Sequence, residues 1–424
     1  MRWNNLISKL KKFDFEIIIF LLCLFLQDFS IIKTKSFGIP CLTLFLVYAF
    51  FRYNFFKKLN KKFIIFCLIT IIVIVLSSIL NKYFNYTQIF RYLSVLFIFF
   101  AGYNYIKILF DKKKNDTLLK YALVFSLIIS LYGVYQSTAS MVGLPMFLNI
   151  FNNNPSYAVR GIYEVYGGWS STYRVYGTFF EPSVFAIFLS NLFFIFLLFY
   201  KDKKLLYYIT MILLLFNIFL TFARSGWIVF LCYLIVYILY RFIFKKLKKG
   251  LLEFIFEVSI LLLPLFIVVI MYFVGLYLFK DNSSLSRTYS SIYYLTFSFQ
   301  DILSILFGHS LGSLSLIKNV IFNGASIEPF AHNGYVEIIY LLGWPYFIYL
   351  LFKVREFFTK TKNNKLFAYA TISTLCCFGA YYNVESLAVI SIIFICYTKF
   401  YKGVIRWFQL FAQAIIKIFL KNIF

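Results

Sequence analysis

Long apolar runs recur along this chain, and short clusters of lysine and arginine separate them. A run of about 17–25 apolar residues is what a helix needs to cross a bilayer. Windows of that kind lie near 15–33, 37–55, 63–80, 89–109, 118–137, 182–200, 204–222, 225–244, 254–279, 333–352, 366–382 and 384–400. Lipid offers no partner to backbone N–H and C=O groups, so a crossing segment must satisfy its own, which favours helix. Composition agrees: 62% of residues are hydrophobic and only 14% charged, against roughly a quarter charged in soluble domains. The expected fold class is therefore an all-α integral membrane protein, a polytopic bundle of about 12 transmembrane helices.

Charge sets the expected topology. There are 42 Lys and Arg against 16 Asp and Glu, a formal net charge of +26. On a soluble chain that excess would suggest nucleic acid. Here it falls in short runs between apolar windows, which is the positive-inside pattern of a membrane protein, so no nucleic-acid partner is expected. Runs at 57–62, 112–114, 201–204, 241–249 and 353–365 then lie inside, with both termini cytoplasmic. The first apolar run has no small-residue cleavage site after it and is expected to stay as a helix. Two long segments, near 138–181 and 280–332, become large extracytoplasmic loops. The membrane domain is read as 1–401. Beyond it, 402–424 places Arg406, Gln409, Gln413, Lys417 and Lys421 on one helical stripe among Phe, Ile and Leu. That pattern describes an amphipathic helix lying in the cytoplasmic interface. The seven cysteines sit in or beside apolar stretches without metal-ligand spacing and read as small hydrophobes.

Candidate chemistry collects on the outer side. His332, one of two histidines, stands where the loop ending Glu328-Pro-Phe-Ala meets the tenth apolar window. An imidazole there can serve as a general base, or simply cap and solvate the helix end. Asn333 and Glu337 are four apart and share a helix face, where either could orient a sugar or the ring. Arg91 lies inside an apolar run, Arg224 in the turn Ala223-Arg224-Ser225-Gly226, and Arg287 and Arg174 in the two outer loops. A cation at membrane depth costs at least about 2.5 kcal/mol, so it snorkels to the interface or has a task there. Thr178 and Glu181 are spaced as a capping box ahead of Pro182, or Glu181 caps that helix directly; either makes Glu181 structural and leaves Arg174 as the functional candidate. His309, between Gly308 and Gly312, is the competing histidine and reads as a loop residue.

Taken in order, Arg174-x-x-Gly-Thr-Phe…Pro182, Ala223-Arg224-Ser225-Gly226, Ser286-Arg287…Phe307-Gly308-x-x-x-Gly312 and His332-Asn333…Gly343 resemble the superfamily of O-antigen ligases and O-antigen or capsular polysaccharide polymerases. The likeness covers about 174–346; Ile228 stands where the ligase-like pattern Arg-x-x-x-Leu has leucine. The resemblance implies a bacterial cytoplasmic (inner) membrane enzyme and a polyprenyl-diphosphate-linked oligosaccharide as donor. It implies transfer to a hydroxyl on the outer face; arginines match phosphate oxygens without a metal, so neither metal nor cofactor is expected. His332 would be the catalytic base. Arg174, Arg224, Arg287 and Arg91, with Asn333 and Glu337, would bind substrate. Besides the lipid bilayer, a chain-length regulator would be a partner. Polymerase is the first expectation, ligase the near alternative, and a lipid-linked oligosaccharide flippase the rival from another class. A flippase is expected to have short outer loops and half-to-half symmetry instead.

Overall fold

The computed structural model describes residues 12–26, 30–33, 38–142, 144, 162–165, 169–179, 181–239, 251–278, 282–311, 313–317, 320–322, 325–328, 331–358, 365–377 and 385–400. The expected tail helix at 402–424 and much of the loop near 138–181 lie outside the described residues.

The longer helices are α1 (Lys12–Phe25), α2 (Cys41–Arg52), α3 (Lys61–Leu80), α4 (Tyr86–Asp111), α5 (Asn115–Val142), α6 (Pro182–Phe199), α7 (Leu205–Leu220) and α8 (Arg224–Leu239). They continue as α9 (Leu251–Leu278), α10 (Asn282–Phe297), α11 (Ile302–Phe307), α12 (Gly334–Leu342), α13 (Trp344–Phe358), α14 (Lys365–Cys377) and α15 (Glu385–Phe400). Three two-stranded antiparallel pairs join them: β1 (Ser30–Lys33) with β2 (Gly38–Pro40), β3 (Ile162–Val165) with β4 (Trp169–Tyr173), and β5 (Ile321–Phe322) with β6 (Ala325–Ser326). Among the described residues, α3, α4, α5 and α6 are long and apolar enough to cross a membrane, and six shorter apolar helices accompany them. The protein is a helical membrane protein.

Two apolar windows yield less helix than their length suggests. In the first, β1 takes the end of the run; in the second, β2 takes the start and α2 covers 12 residues. Pro40 explains the second boundary, since it cannot donate a backbone hydrogen bond and sits as the extended residue before α2.

α6 is apolar on every side, and nearly all of it is buried, which makes it the helix that others pack around. One buried cluster joins α6 to α1, α2, α4, α5, α7, α8, α14 and α15. A second joins α3, α9, α10, α12 and the start of α13. α9 runs through Pro264, whose missing N–H leaves the Ile260 carbonyl without its helical donor. Ser373 on α14 supplies one from its hydroxyl, as an apolar surrounding requires.

The tenth window, expected as one span over 333–352, is two helices. Gly343 breaks it with φ +86°, and a Cβ there would fall 2.6 Å from the Leu306 carbonyl oxygen. Tyr335 on α12 and Phe347 on α13 fold back to a ring-centroid separation of 5.0 Å across the break.

Side-chain ties also sort the helix ends into two groups. Lys114–Asp14, Lys62–Glu356 and Lys201–Asp116 pair at 2.6, 2.6 and 3.1 Å, and all six residues come from segments the charge pattern assigns to one face. Segments assigned to the opposite face meet too, where Asn81 Nδ2 donates to the Gly308 carbonyl at 2.9 Å.

Candidate functional site

α10 carries the first half of the site. Ser286, Ser290 and Tyr294 recur at four-residue spacing, so they line one face. All three bond the same segment: Ser286 Oγ shares its proton between Glu328 Oε1 at 3.0 Å and the Ser326 carbonyl at 2.9 Å, the Glu328 N–H donates to Ser290 Oγ at 2.9 Å, and Tyr294 OH donates to the Glu328 carbonyl at 2.7 Å. Next to them, the Ser291 hydroxyl donates to the Ala331 carbonyl. Glu328 and Ala331 are thereby both held to this helix.

His332 follows with φ +51°, a left-handed conformation that histidine adopts more readily than most residues. Its Nε2 lies 2.6 Å from Glu328 Oε2, and the two side chains remain 22% and 36% exposed. The hydrogen bond from His332 holds the Glu328 carboxyl at about 2, well below its ordinary range; Ser286 and Arg287 act in the same direction, while burial opposes them. Arg287 itself is exposed at the rim. His332, Glu328, Ser286 and Arg287 form one polar cluster.

Asn333 has a different task from the one its residue type suggested. Its Oδ1 accepts the N–H groups of Tyr335 and Val336 at 3.1 and 3.2 Å as the N-cap of α12, and its Nδ2 donates to the Pro264 carbonyl at 2.8 Å. With 2% exposure, both ends of this amide are used to anchor α12 against the middle of α9, not to reach outward. Glu337 is buried one turn further on. His309 is half-buried, its ring stacked on Tyr340 with centroids 4.4 Å apart and Nε2 3.2 Å from the Phe297 carbonyl.

Arg174 and Arg224 meet at another turn. The Arg174 side chain donates from Nε to the Thr221 carbonyl at 2.8 Å, and Arg224 is exposed as the first residue of α8. Gln136, buried in α5, pins the segment after Arg174: Oε1 accepts the Gly177 N–H at 2.8 Å, and Nε2 donates to the Gly177 carbonyl at 2.9 Å. The capping box expected at Thr178 and Glu181 is not formed. Glu181 itself occupies the N-cap position of α6, without a side-chain cap bond, and the Thr178 hydroxyl donates instead to the Phe25 carbonyl at the end of α1. Arg91 belongs to α4, and its side chain lies outside the described residues.

The structure thus groups the candidates in two sets. His332 and Arg287 belong with the α9–α10–α12 cluster, and Arg174 and Arg224 with the larger cluster around α6. Neither Glu328 nor Gln136 stands out by residue type. Glu328 had a visible signal, a carboxylate four residues before the histidine; Gln136 had none. No group of three His, Cys, Asp or Glu side chains is placed to hold a metal ion among the described residues. Comparison with protein-family models, with curated proteins and with solved structures finds no match.

Proposed function

We propose that this protein is a surface-polysaccharide polymerase, moving a glycan from a polyprenyl-diphosphate donor to a sugar hydroxyl at the outer face of the bacterial cytoplasmic membrane. The observation that supports this most is His332 held 2.6 Å from a carboxylate in a partly open polar cluster. Base beside orienting group is the arrangement a hydroxyl nucleophile requires. In the reaction, the acceptor oxygen bonds the anomeric carbon while the bond from that carbon to the diphosphate oxygen breaks. The electron pair leaves with the diphosphate, and the acceptor proton goes to His332.

Arginines suit the growing charge on the leaving group, since their planar forks match phosphate oxygens. Arg174 and Arg224 flank one turn at the N-terminus of α8, whose dipole adds to their positive field. Arg287 stands at the histidine cluster. A polymerase must also admit a second lipid diphosphate as acceptor, and arginines on both packing clusters favour it over the ligase.

Deletion of the gene in its host is the test. The proposal expects surface glycan as single repeat units with the long-chain ladder missing. Long lipid-linked chains that persist without reaching their final acceptor would replace polymerase by ligase. Loss of all repeat units from the outer face would favour a flippase.

A further inference from the structure

Every polar group of Glu328 is held. α10 fixes its N–H, its carbonyl and one carboxylate oxygen through Ser290, Tyr294 and Ser286. The second oxygen, Oε2, is left to His332 Nε2 at 2.6 Å. An ionised carboxylate can only accept, so the proton in that contact sits on Nε2 of the ring. A neutral imidazole with its proton on Nε2 carries its basic lone pair on Nδ1. The carboxylate is ionised throughout the neutral range, its carboxyl being held at about 2.

We propose that Glu328 is a positioning residue that locks the neutral form of His332 in the Nε2–H tautomer and stabilises the imidazolium formed when the ring takes the acceptor proton. The assignment rests on the glycosyl-transfer reading above. As the acceptor oxygen bonds the anomeric carbon and the bond from that carbon to the diphosphate oxygen breaks, the acceptor proton passes to the ring, which becomes an imidazolium facing an ionised carboxylate already in place. The attraction is therefore largest at the step that creates the charge, which is the condition for lowering a barrier. Arg287 and Tyr294 on α10 lie within electrostatic reach of Glu328, and Glu337 on α12 within reach of Tyr294.

The chain has only two histidines, so spectra of protein labelled with 15N-histidine in nanodiscs resolve the ring directly, with His332→Gln giving the assignment. Three proteins are compared: wild type, Glu328→Gln and Tyr294→Phe. Glutamine offers both a donor and an acceptor to the ring, so the lock is lost. Tyr294→Phe loosens the same segment and keeps the carboxylate, which makes it the control for mere disturbance.

Wild type and Tyr294→Phe are expected to hold the proton on Nε2, and Glu328→Gln to populate both tautomers. With repeat-unit lipid extracted from the host's membranes as substrate, kcat of Glu328→Gln should fall about 10- to 100-fold, with KM within about twofold of wild type. A wild-type ring protonated on Nδ1, or a glutamine variant with an unchanged tautomer, overturns the assignment. So does the expected tautomer change with kcat unaltered. If wild type shows the stated tautomer but transfers no sugar, the transfer reading fails while the pair itself stands.

Discussion

Gly308 and Gly343 are the two sides of one backbone crossing: a Cβ on Gly308 would lie 2.5 Å from Leu341 C and Leu342 N, and one on Gly343 2.6 Å from Leu306 O. The neighbours are main chain, so no rotamer change can make room. Both residues have positive φ as well, +66° and +86°. Alanine at either position therefore meets a clash and backbone strain together, and the strain alone costs about 1–3 kcal/mol. Gly308→Ala and Gly343→Ala should each lower the yield of monodisperse protein in detergent and its unfolding temperature. Wild-type melting of both would show that the crossing is looser than described.

Ser373 and Pro264 should be coupled. The Ser373 hydroxyl serves a carbonyl that only Pro264 leaves without a helical donor. Ser373→Ala should cost about 1 kcal/mol in an unfolding titration, in line with polar contacts inside membranes. In a Pro264→Ala background, where the helix can supply its own N–H, the same change should cost little. Equal costs in both backgrounds would separate the two residues.

The Glu328 carboxyl gives a pH prediction with a definite sign. Its folded value, about 2, is below its ordinary one of 4.5, so its contribution to stability is complete above the ordinary value and is lost as pH falls toward 2. The hold of α10 on Glu328 should therefore weaken in acid over that window. His332→Gln removes the largest cause of the depression, so the carboxyl should move up toward its ordinary range. A 13C-glutamate titration, assigned with Glu328→Gln, reads this directly; an unmoved value would deny the pairing.

Arg174 should tolerate lysine poorly. The bond to the Thr221 carbonyl is made from Nε of the planar guanidinium. Lysine keeps the charge but has neither Nε nor the fork. A charge-assisted hydrogen bond contributes about 1.5–3 kcal/mol, so Arg174→Lys should raise the KM for lipid donor about 10- to 100-fold. Lysine at wild-type KM would assign Arg174 to the interface alone.

Hydropathy made the helices legible because lipid imposes helix on long apolar runs. It could not show the break at Gly343, since one glycine inside a 20-residue apolar window hardly alters the window. The reason for that glycine is Leu306, which is remote in sequence. At the site, Glu328 was in view, yet the four-residue rule belongs to helices, and the turn at His332 is not one. Asn333 and Thr178 misled for a common reason. A polar side chain bonds whatever the fold brings to it, and their partners, Pro264 and Phe25, come from distant helices.

The central claim is that His332 accepts the proton of the attacking hydroxyl, and single-turnover transfer by purified His332→Ala tests it most directly. With repeat-unit lipid from the host preloaded in nanodiscs, wild type and variant should retain the donor alike. The variant's rate of chain extension should fall by about 10²- to 10⁴-fold, the range of general-base contributions. Extension by His332→Ala at the wild-type rate would contradict the account.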